Sequence, residues 1–87
     1  MNGQKKNTVL KQSTKEDSLH LATFAKHKHI ADFFNKTGEL VNFHHHIQQE
    51  LLVAYRALVD PYYTYSSTCG MCVAEFITRI YKWYENR

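Results

Sequence analysis

The chain has 87 residues, of which 44% are hydrophobic and 22% are charged, with a net charge of +3. This length supports one hydrophobic core and excludes a multidomain enzyme. The apolar residues are scattered, with no run near the roughly 18 residues that a membrane-spanning helix needs, and we expect neither a membrane span nor a signal peptide.

The positive charge is confined to the N-terminal segment. Residues 1–15 contain four Lys and no acidic residue, whereas residues 16–87 contain seven Lys and Arg against eight Asp and Glu. Lys combined with Gln, Asn and Ser is typical of a flexible, solubilising tail, so residues 1–15 are predicted to be a tail and residues 16–87 a single helical domain. If the tail orders on an acidic partner protein, Lys5, Lys6 and Lys11 are its predicted contacts.

The first predicted helix begins after Ser13, because Glu16 completes a capping-box pattern three residues later. The apolar positions that follow fit a helical stripe only with a change of phase between Lys26 and His29. This change predicts that the helix bends or breaks there. Gly38 is the predicted stop, since glycine commonly ends helices.

The second predicted helix covers residues 39 to 59, where apolar residues recur at steps of three and four. It ends at Asp60, because Pro61 disfavours helical geometry in the residue before it. A tyrosine-rich connection then leads to Thr68, the predicted N-cap of a third helix. The predicted core consists of Phe43, Ile47, Leu51 and Leu58, facing Phe24 and Phe34 on one side and Val73, Phe76, Ile77 and Ile80 on the other.

No convincing strand pattern is present, so the predicted fold class is all-α. We expect a small three-helix bundle, or a helical hairpin plus a third helix, with the second and third helices antiparallel about residue 64.

Cys69-Gly-Met-Cys72 is the sharpest local motif. A thioredoxin-like redox site would need strands that this sequence does not supply. A structural zinc site needs four ligands, and the antiparallel register brings only His20 near the cysteines, so Cys69, Cys72 and His20 are the candidate zinc ligands. A disulfide is a third alternative. Two ordinary thiols and no cofactor are the preferred prediction.

The histidine run His44-His45-His46 invites a metal interpretation. Consecutive helical residues point about 100° apart, so these three side chains are not expected to chelate one ion together. The antiparallel register places His29 and His46 level with Trp83 and Tyr84, which predicts a polar and aromatic end layer. No nucleophile elbow, phosphate loop or paired carboxylates are present, and we predict no enzymatic activity.

The chain contains six Tyr and one Trp, residue types that are enriched in protein interfaces. A domain this small cannot bury all of them, and the alternative role of the tyrosines is to cover a thin core. The predicted partner-contacting aromatic residues are Tyr62, Tyr63, Tyr65, Trp83 and Tyr84.

The segment from Cys69 to Tyr84, a cysteine pair that opens an aromatic-rich amphipathic helix, resembles the C-terminal ends of small helical proteins encoded by tailed phages of Bacteroidetes, including crAss-like phages. The resemblance implies a non-enzymatic virion component, such as an auxiliary capsid or vertex protein. Such a protein would be assembled in the host cytoplasm and dock on capsid or portal-type subunits. The resemblance supplies no catalytic or metal-binding residues.

The function predicted from the sequence is that of an adaptor that stabilises a larger protein assembly, with self-association also open. The alternatives are a zinc-supported helical module and a nucleic-acid-binding module that uses the tail for phosphates and aromatic rings for stacking. Stacking platforms interleave aromatic and basic residues, but residues 62–65 have no basic neighbour in sequence closer than Arg56. Nucleic acid is therefore the less favoured partner.

Overall fold

A computed structural model describes residues 15–87, which form helices and no strands. The helices are α1 (Lys15–Lys26), α2 (Lys28–Thr37), α3 (His45–Leu58) and α4 (Gly70–Asn86). Helices α1 and α2 are the two halves of the first predicted helix. Because residues 15–87 form helices and no strands, the predicted all-α fold class is confirmed for this part of the chain. The predicted tail contacts Lys5, Lys6 and Lys11 lie outside the described residues.

The first predicted helix breaks at His27, as its change of phase indicated. Helix α1 already includes Lys15, and Glu16 and Asp17 occupy its first turn, where carboxylates interact favourably with the helix dipole. Helix α2 ends at Gly38, which adopts a left-handed conformation with φ of 79° that glycine reaches without a steric penalty.

Helix α3 begins at His45, and the predicted start at residue 39 is wrong. Asn42 has a positive φ of 58°, which interrupts helical geometry, and His44 is an extended N-cap. Leu40 and Phe43 still pack against the core, but from the loop that precedes the helix. The apolar spacing therefore extends to residues that lie before the start of the helix.

The connection between α3 and α4 runs back along α3. Near the C-terminal end of α3, the ring centroids of Tyr63 and Tyr55 are 5.3 Å apart, and Arg56 Nε donates to the Tyr63 carbonyl at 2.7 Å. Near the N-terminal end of α3, the Tyr65 hydroxyl donates to Gln48 Oε1 at 2.6 Å. The chain has thus returned to the beginning of α3 before α4 starts.

As a result, the ring contacts between α4 and the α3 region follow the same order along both segments, and the predicted antiparallel register is wrong. Phe76, in the first half of α4, stacks on Phe43 just before α3, with ring centroids 6.4 Å apart. Trp83, near the end of α4, meets Tyr55 near the end of α3 at 6.4 Å. The connection between the helices causes this arrangement. Tyr63 and Tyr65 pack along α3, so the chain does not make a tight turn near residue 64.

The core lies where these helices meet. The largest fully buried side chains are those of Phe24, Leu51, Phe76, Ile77 and Ile80, all of them predicted core residues. Val73 is also buried, whereas Phe34, Phe43, Ile47 and Leu58 pack at the edge and are only partly buried. The predicted core is thus confirmed at its centre and is less buried than expected at its margin.

The hydroxyl of Tyr81 supports the last turn of α1 by donating to the Phe24 carbonyl at 2.8 Å. Burial raises the pKa of Tyr81, so the donor keeps its proton at all ordinary pH values. Tyr81→Phe removes this buried hydrogen bond at nearly constant volume and should lower the free energy of unfolding by about 0.5–1.5 kcal/mol. Urea denaturation followed by circular dichroism measures the difference, and an unchanged midpoint would show that the bond contributes nothing.

A partly buried polar contact lies at the break between α1 and α2. His27 is 5% exposed, and its Nε2 is 2.8 Å from Glu50 Oε1 on α3. This hydrogen bond lowers the pKa of Glu50, and the nearby charges of Lys26 and His46 act in the same direction. The ionised carboxylate is therefore favoured in the folded state.

This contact predicts an acid-dependent stability. Because the pKa of Glu50 is lower in the folded chain than in the unfolded chain, its contribution is fully present above the ordinary carboxyl value of 4.5 and is lost as the pH falls through the folded value. The melting temperature of the Glu50→Gln variant should therefore fall less steeply below pH 4.5 than that of the unsubstituted chain. Thermal unfolding of both proteins across the acid range tests this, and an equally steep decline in the variant would contradict it.

Candidate docking face on helix α4

A shallow, open surface follows the exposed side of α4, and we call it the α4 groove. It is lined by Glu75, Thr78, Arg79, Lys82, Trp83 and Asn86. These residues recur at steps of three and four, so the regular geometry of a single helix places them on one face. The groove carries the cationic side chains of Arg79 and Lys82 against the single carboxylate of Glu75.

Arg79 is an exposed residue whose side chain lies against two tyrosines. Its guanidinium carbon lies 5.0 Å from the centroid of the Tyr63 ring, which is a cation–π geometry. A side-chain hydrogen bond with Tyr55 raises the pKa of Arg79. Burial raises the pKa of Tyr63, and the charge of Arg79 partly opposes that effect. The groove therefore presents a permanent cation held against neutral tyrosine rings.

Trp83 is the aromatic residue of the groove itself. Its ring lies 5.6 Å from that of Phe24 and 6.4 Å from that of Tyr55, and the side chain is only partly buried. The core thus holds the indole in place while part of it remains accessible. Arg79 lies one helical turn before Trp83, so the two side chains neighbour each other on the same face.

The predicted partner-contacting aromatics have different environments. Tyr62 is 89% exposed, whereas Tyr65 stacks on Phe76 with ring centroids 4.2 Å apart and covers the core. Tyr84 stacks on Phe24 at 5.4 Å. Trp83 lies in the α4 groove, and Tyr63 lies beneath Arg79. Core cover thus describes Tyr65 and Tyr84, and contact of any of the five with a partner stays a prediction.

Sequence reasoning missed the two cations of the groove. In the sequence, the two residues belong to a segment in which basic and acidic residues nearly balance, and the nearest basic neighbour of Tyr63 is Arg56. Helical spacing offered a signal, because Arg79 stands four residues before Trp83. Its position over Tyr63 depends on the path of the connection, which local spacing does not encode.

Cys69 and Cys72 form a disulfide, so the preferred prediction of two free thiols is wrong. Cys69 is the N-cap of α4 in place of the predicted Thr68, and its Sγ accepts the Cys72 N–H at 3.1 Å. The helix start places the two Cα atoms 5.1 Å apart, within the usual range for a disulfide.

The candidate zinc ligands do not come together in this structure. Zinc is bound by thiolates, and the two sulfurs are bonded to each other. His20 lies in a different groove, between α1 and α3, beside His45 and His46. Within residues 15–87, no three His, Cys, Asp or Glu side chains are grouped as a metal site would require.

The histidines do not form the predicted end layer. His46 lines the α1–α3 groove and His29 lines a separate one near Phe33, whereas Trp83 and Tyr84 pack on Phe24. The rings of His44 and His46 stack with centroids 5.9 Å apart. The predicted separation of about 100° between neighbouring side chains assumes that all three histidines are helical. His44 is instead an extended N-cap, which allows its ring to stack on that of His46.

The helices formed by residues 15–87 include none with the length and apolar character needed to cross a membrane. The chain matches no protein-family model, no curated protein and no solved structure.

Proposed function

We propose that this protein is an adaptor that docks through the α4 groove on an acidic patch of a larger protein assembly. The observation that carries the proposal is the position of Arg79 over Tyr63, one helical turn from the partly exposed Trp83. Trp, Tyr and Arg are the residue types that dominate binding energy in protein interfaces. Because Tyr63 and Trp83 already pack against the core, binding would immobilise few of their rotamers.

Charge defines the class of partner. Arg79 and Lys82 outnumber Glu75 in the groove, so a partner surface with Asp or Glu around an apolar contact for Trp83 is complementary. In this proposal the basic residues Lys5, Lys6 and Lys11 would extend the attraction to the same acidic surface. A steeply salt-dependent association rate is expected from such complementarity.

The proposed assembly is a phage virion, with capsid or portal-type subunits as the partner. Support comes from the resemblance of residues 69–84 to the ends of small virion-associated helical proteins, and these residues include all of the α4 groove except Asn86. Cosedimentation of the full chain with shells assembled from capsid subunits of a Bacteroidetes tailed phage tests this choice. Failure to sediment with any such shell would remove the virion assignment while leaving the acidic-partner proposal to its own test.

The acidic-partner proposal is tested with a charge reversal in the groove. A fluorescent Glu-rich peptide that contains one Trp serves as the probe, and anisotropy measures its affinity for the full chain. Lys82→Glu should weaken binding by roughly tenfold or more, since like charges then face each other. The matched control is Lys36→Glu, an exposed lysine on α2, which should change the affinity less than twofold. Equal effects of the two reversals, or no binding of the peptide, would contradict the proposal.

Single-stranded nucleic acid is the second candidate, because the structure supplies the basic neighbour that Tyr63 lacks in the sequence. Arg79 on a tyrosine ring beside a tryptophan is an arrangement suited to stacked bases and phosphates. A labelled oligothymidine of the same net charge as the peptide is the comparison probe. Tighter binding of the oligonucleotide, with affinity falling steeply as salt increases, would replace the adaptor proposal.

A further inference from the structure

The disulfide at the start of α4 is placed where it contributes little as a cross-link. Cys69 and Cys72 are separated by three positions, so their bond closes a very short loop. A disulfide constrains the unfolded chain less when its loop is shorter. Both residues also lie in one turn at the N-terminus of a helix of 17 residues, which packs on the core through residues from Val73 onward.

The surroundings leave the disulfide open to approach. Cys69 and Cys72 are both partly buried, but Thr68 and Gly70 are exposed and Met71 is 85% exposed. Apart from the adjacent residues and the helix backbone, nothing lies within 4 Å of the position that a Cβ would take at Gly70, between the two cysteines. An incoming thiol can therefore reach the disulfide from the open side of the helix start.

The helix start also favours the reduced form of Cys69. As the N-cap, its Sγ accepts the Cys72 N–H at 3.1 Å and lies at the positive end of the helix dipole. Cysteines in this position are stabilised as thiolates. A stabilised thiolate leaves faster in thiol–disulfide exchange, and its stability also favours reduction of the disulfide.

We propose that Cys69 and Cys72 form a thiol–disulfide exchange site that oxidises a pair of thiols on a partner molecule. A partner thiolate attacks the Sγ of Cys69, the bond between the two cysteines breaks, and its electron pair leaves with the Sγ of Cys72, which takes a proton from water. A second partner thiolate then attacks the partner sulfur of the mixed disulfide and releases Cys69 as a thiolate. The partner loses two electrons and the chain gains them.

Oxidised glutathione, or another disulfide of low molecular weight, restores the bond by the reverse exchange and is itself reduced to two thiols. This activity goes beyond docking and does not rest on the α4 groove. Its tests therefore fail or succeed separately from those of the adaptor proposal.

The first test compares the folded chain with its own isolated motif. Reduced glutathione is added to the oxidised full chain, and alkylation with mass spectrometry follows the appearance of free thiols. The control is the oxidised linear peptide of residues 66–74, which has the same motif without the tertiary structure. We expect the chain to release both free thiols roughly tenfold faster, because the helix stabilises the Cys69 thiolate that leaves in the second exchange. A rate equal to or lower than that of the peptide would overturn the proposal.

The second test assigns the roles of the two sulfurs. Cys72→Ser should accumulate a glutathione adduct on Cys69 when treated with oxidised glutathione, whereas Cys69→Ser should form an adduct on Cys72 at least several-fold more slowly. Circular dichroism establishes that both variants are helical. The reverse order of reactivity would refute the assignment of Cys69 as the attacked sulfur.

The third test needs no variant of the chain. A reduced model peptide with two cysteines is mixed with the oxidised full chain, and mass spectrometry measures its conversion to a disulfide. One equivalent of peptide disulfide should form for each equivalent of chain that is reduced. If the chain remains oxidised or the peptide stops at a mixed disulfide, the proposed oxidation of partner thiols is wrong.

Discussion

Replacing Phe76 with alanine should leave most of the isolated chain unfolded. Phe76 is fully buried, and its ring stacks on those of Tyr65, Tyr63 and Phe43 at centroid distances of 4.2, 6.0 and 6.4 Å. The substitution removes the transfer free energy of the ring and leaves a cavity, at a cost of about 3–5 kcal/mol. The total stability of a domain this small is roughly 5 kcal/mol, so little would remain. Circular dichroism with urea denaturation measures the loss.

The matched control is another aromatic residue truncated in the same way. Tyr62 neighbours Tyr63 in sequence but is 89% exposed, and Tyr62→Ala should shift the unfolding free energy by less than about 0.5 kcal/mol. A Phe76→Ala protein with the melting profile of Tyr62→Ala would mean that the ring stack does not support the fold.

The ring stack around Phe76 also shows where sequence reasoning succeeded and where it failed. The apolar spacing around Phe76, Ile77 and Ile80 correctly marked one face of a helix, because spacing reports which residues share a side. It did not report the direction in which that helix runs. The antiparallel prediction assumed a tight turn near residue 64, whereas Tyr63 and Tyr65 bind the connection along α3.

The ends of the first helix were predictable for a related reason. Gly38 stops α2 because the backbone there needs a left-handed conformation, and the break at His27 was visible as a change of phase. The delayed start of α3 was not visible, since Leu40 and Phe43 keep helical spacing while lying in a loop. Apolar spacing alone does not distinguish a helix from a loop whose apolar residues pack against the same core.

The candidate site was predictable only in part, since its members come from different parts of the chain. Trp83 is partly buried and packs against the core, and its predicted contact with a partner stays a prediction. Arg79 acquires its position over Tyr63 from the tertiary path of the connection. The motif of Cys69 and Cys72 is compatible with thiols, zinc or a disulfide, and the choice depends on the distance that the helix start imposes.

Phe24→Ala is expected to have the second large effect, at the other end of the core. Phe24 is fully buried, and its ring meets those of Tyr81, Trp83 and Tyr84 at 5.8, 5.6 and 5.4 Å. Truncation should cost about 3–5 kcal/mol by the same two contributions, lost transfer free energy and an unfilled cavity. It also removes the surface on which the indole of the α4 groove rests.

Trp83 is the single tryptophan of the chain, so its fluorescence reports on this contact directly. Phe24→Ala should shift the emission to longer wavelength as the indole becomes hydrated, together with a loss of helicity. Phe24→Leu keeps most of the apolar volume and should cost less than about 1.5 kcal/mol, so that protein should stay folded with a smaller shift. Native emission and a native melting temperature in Phe24→Ala would contradict the packing of Phe24 beneath Trp83. A folded Phe24→Leu protein that binds the acidic peptide more weakly would show that the groove depends on support from the core.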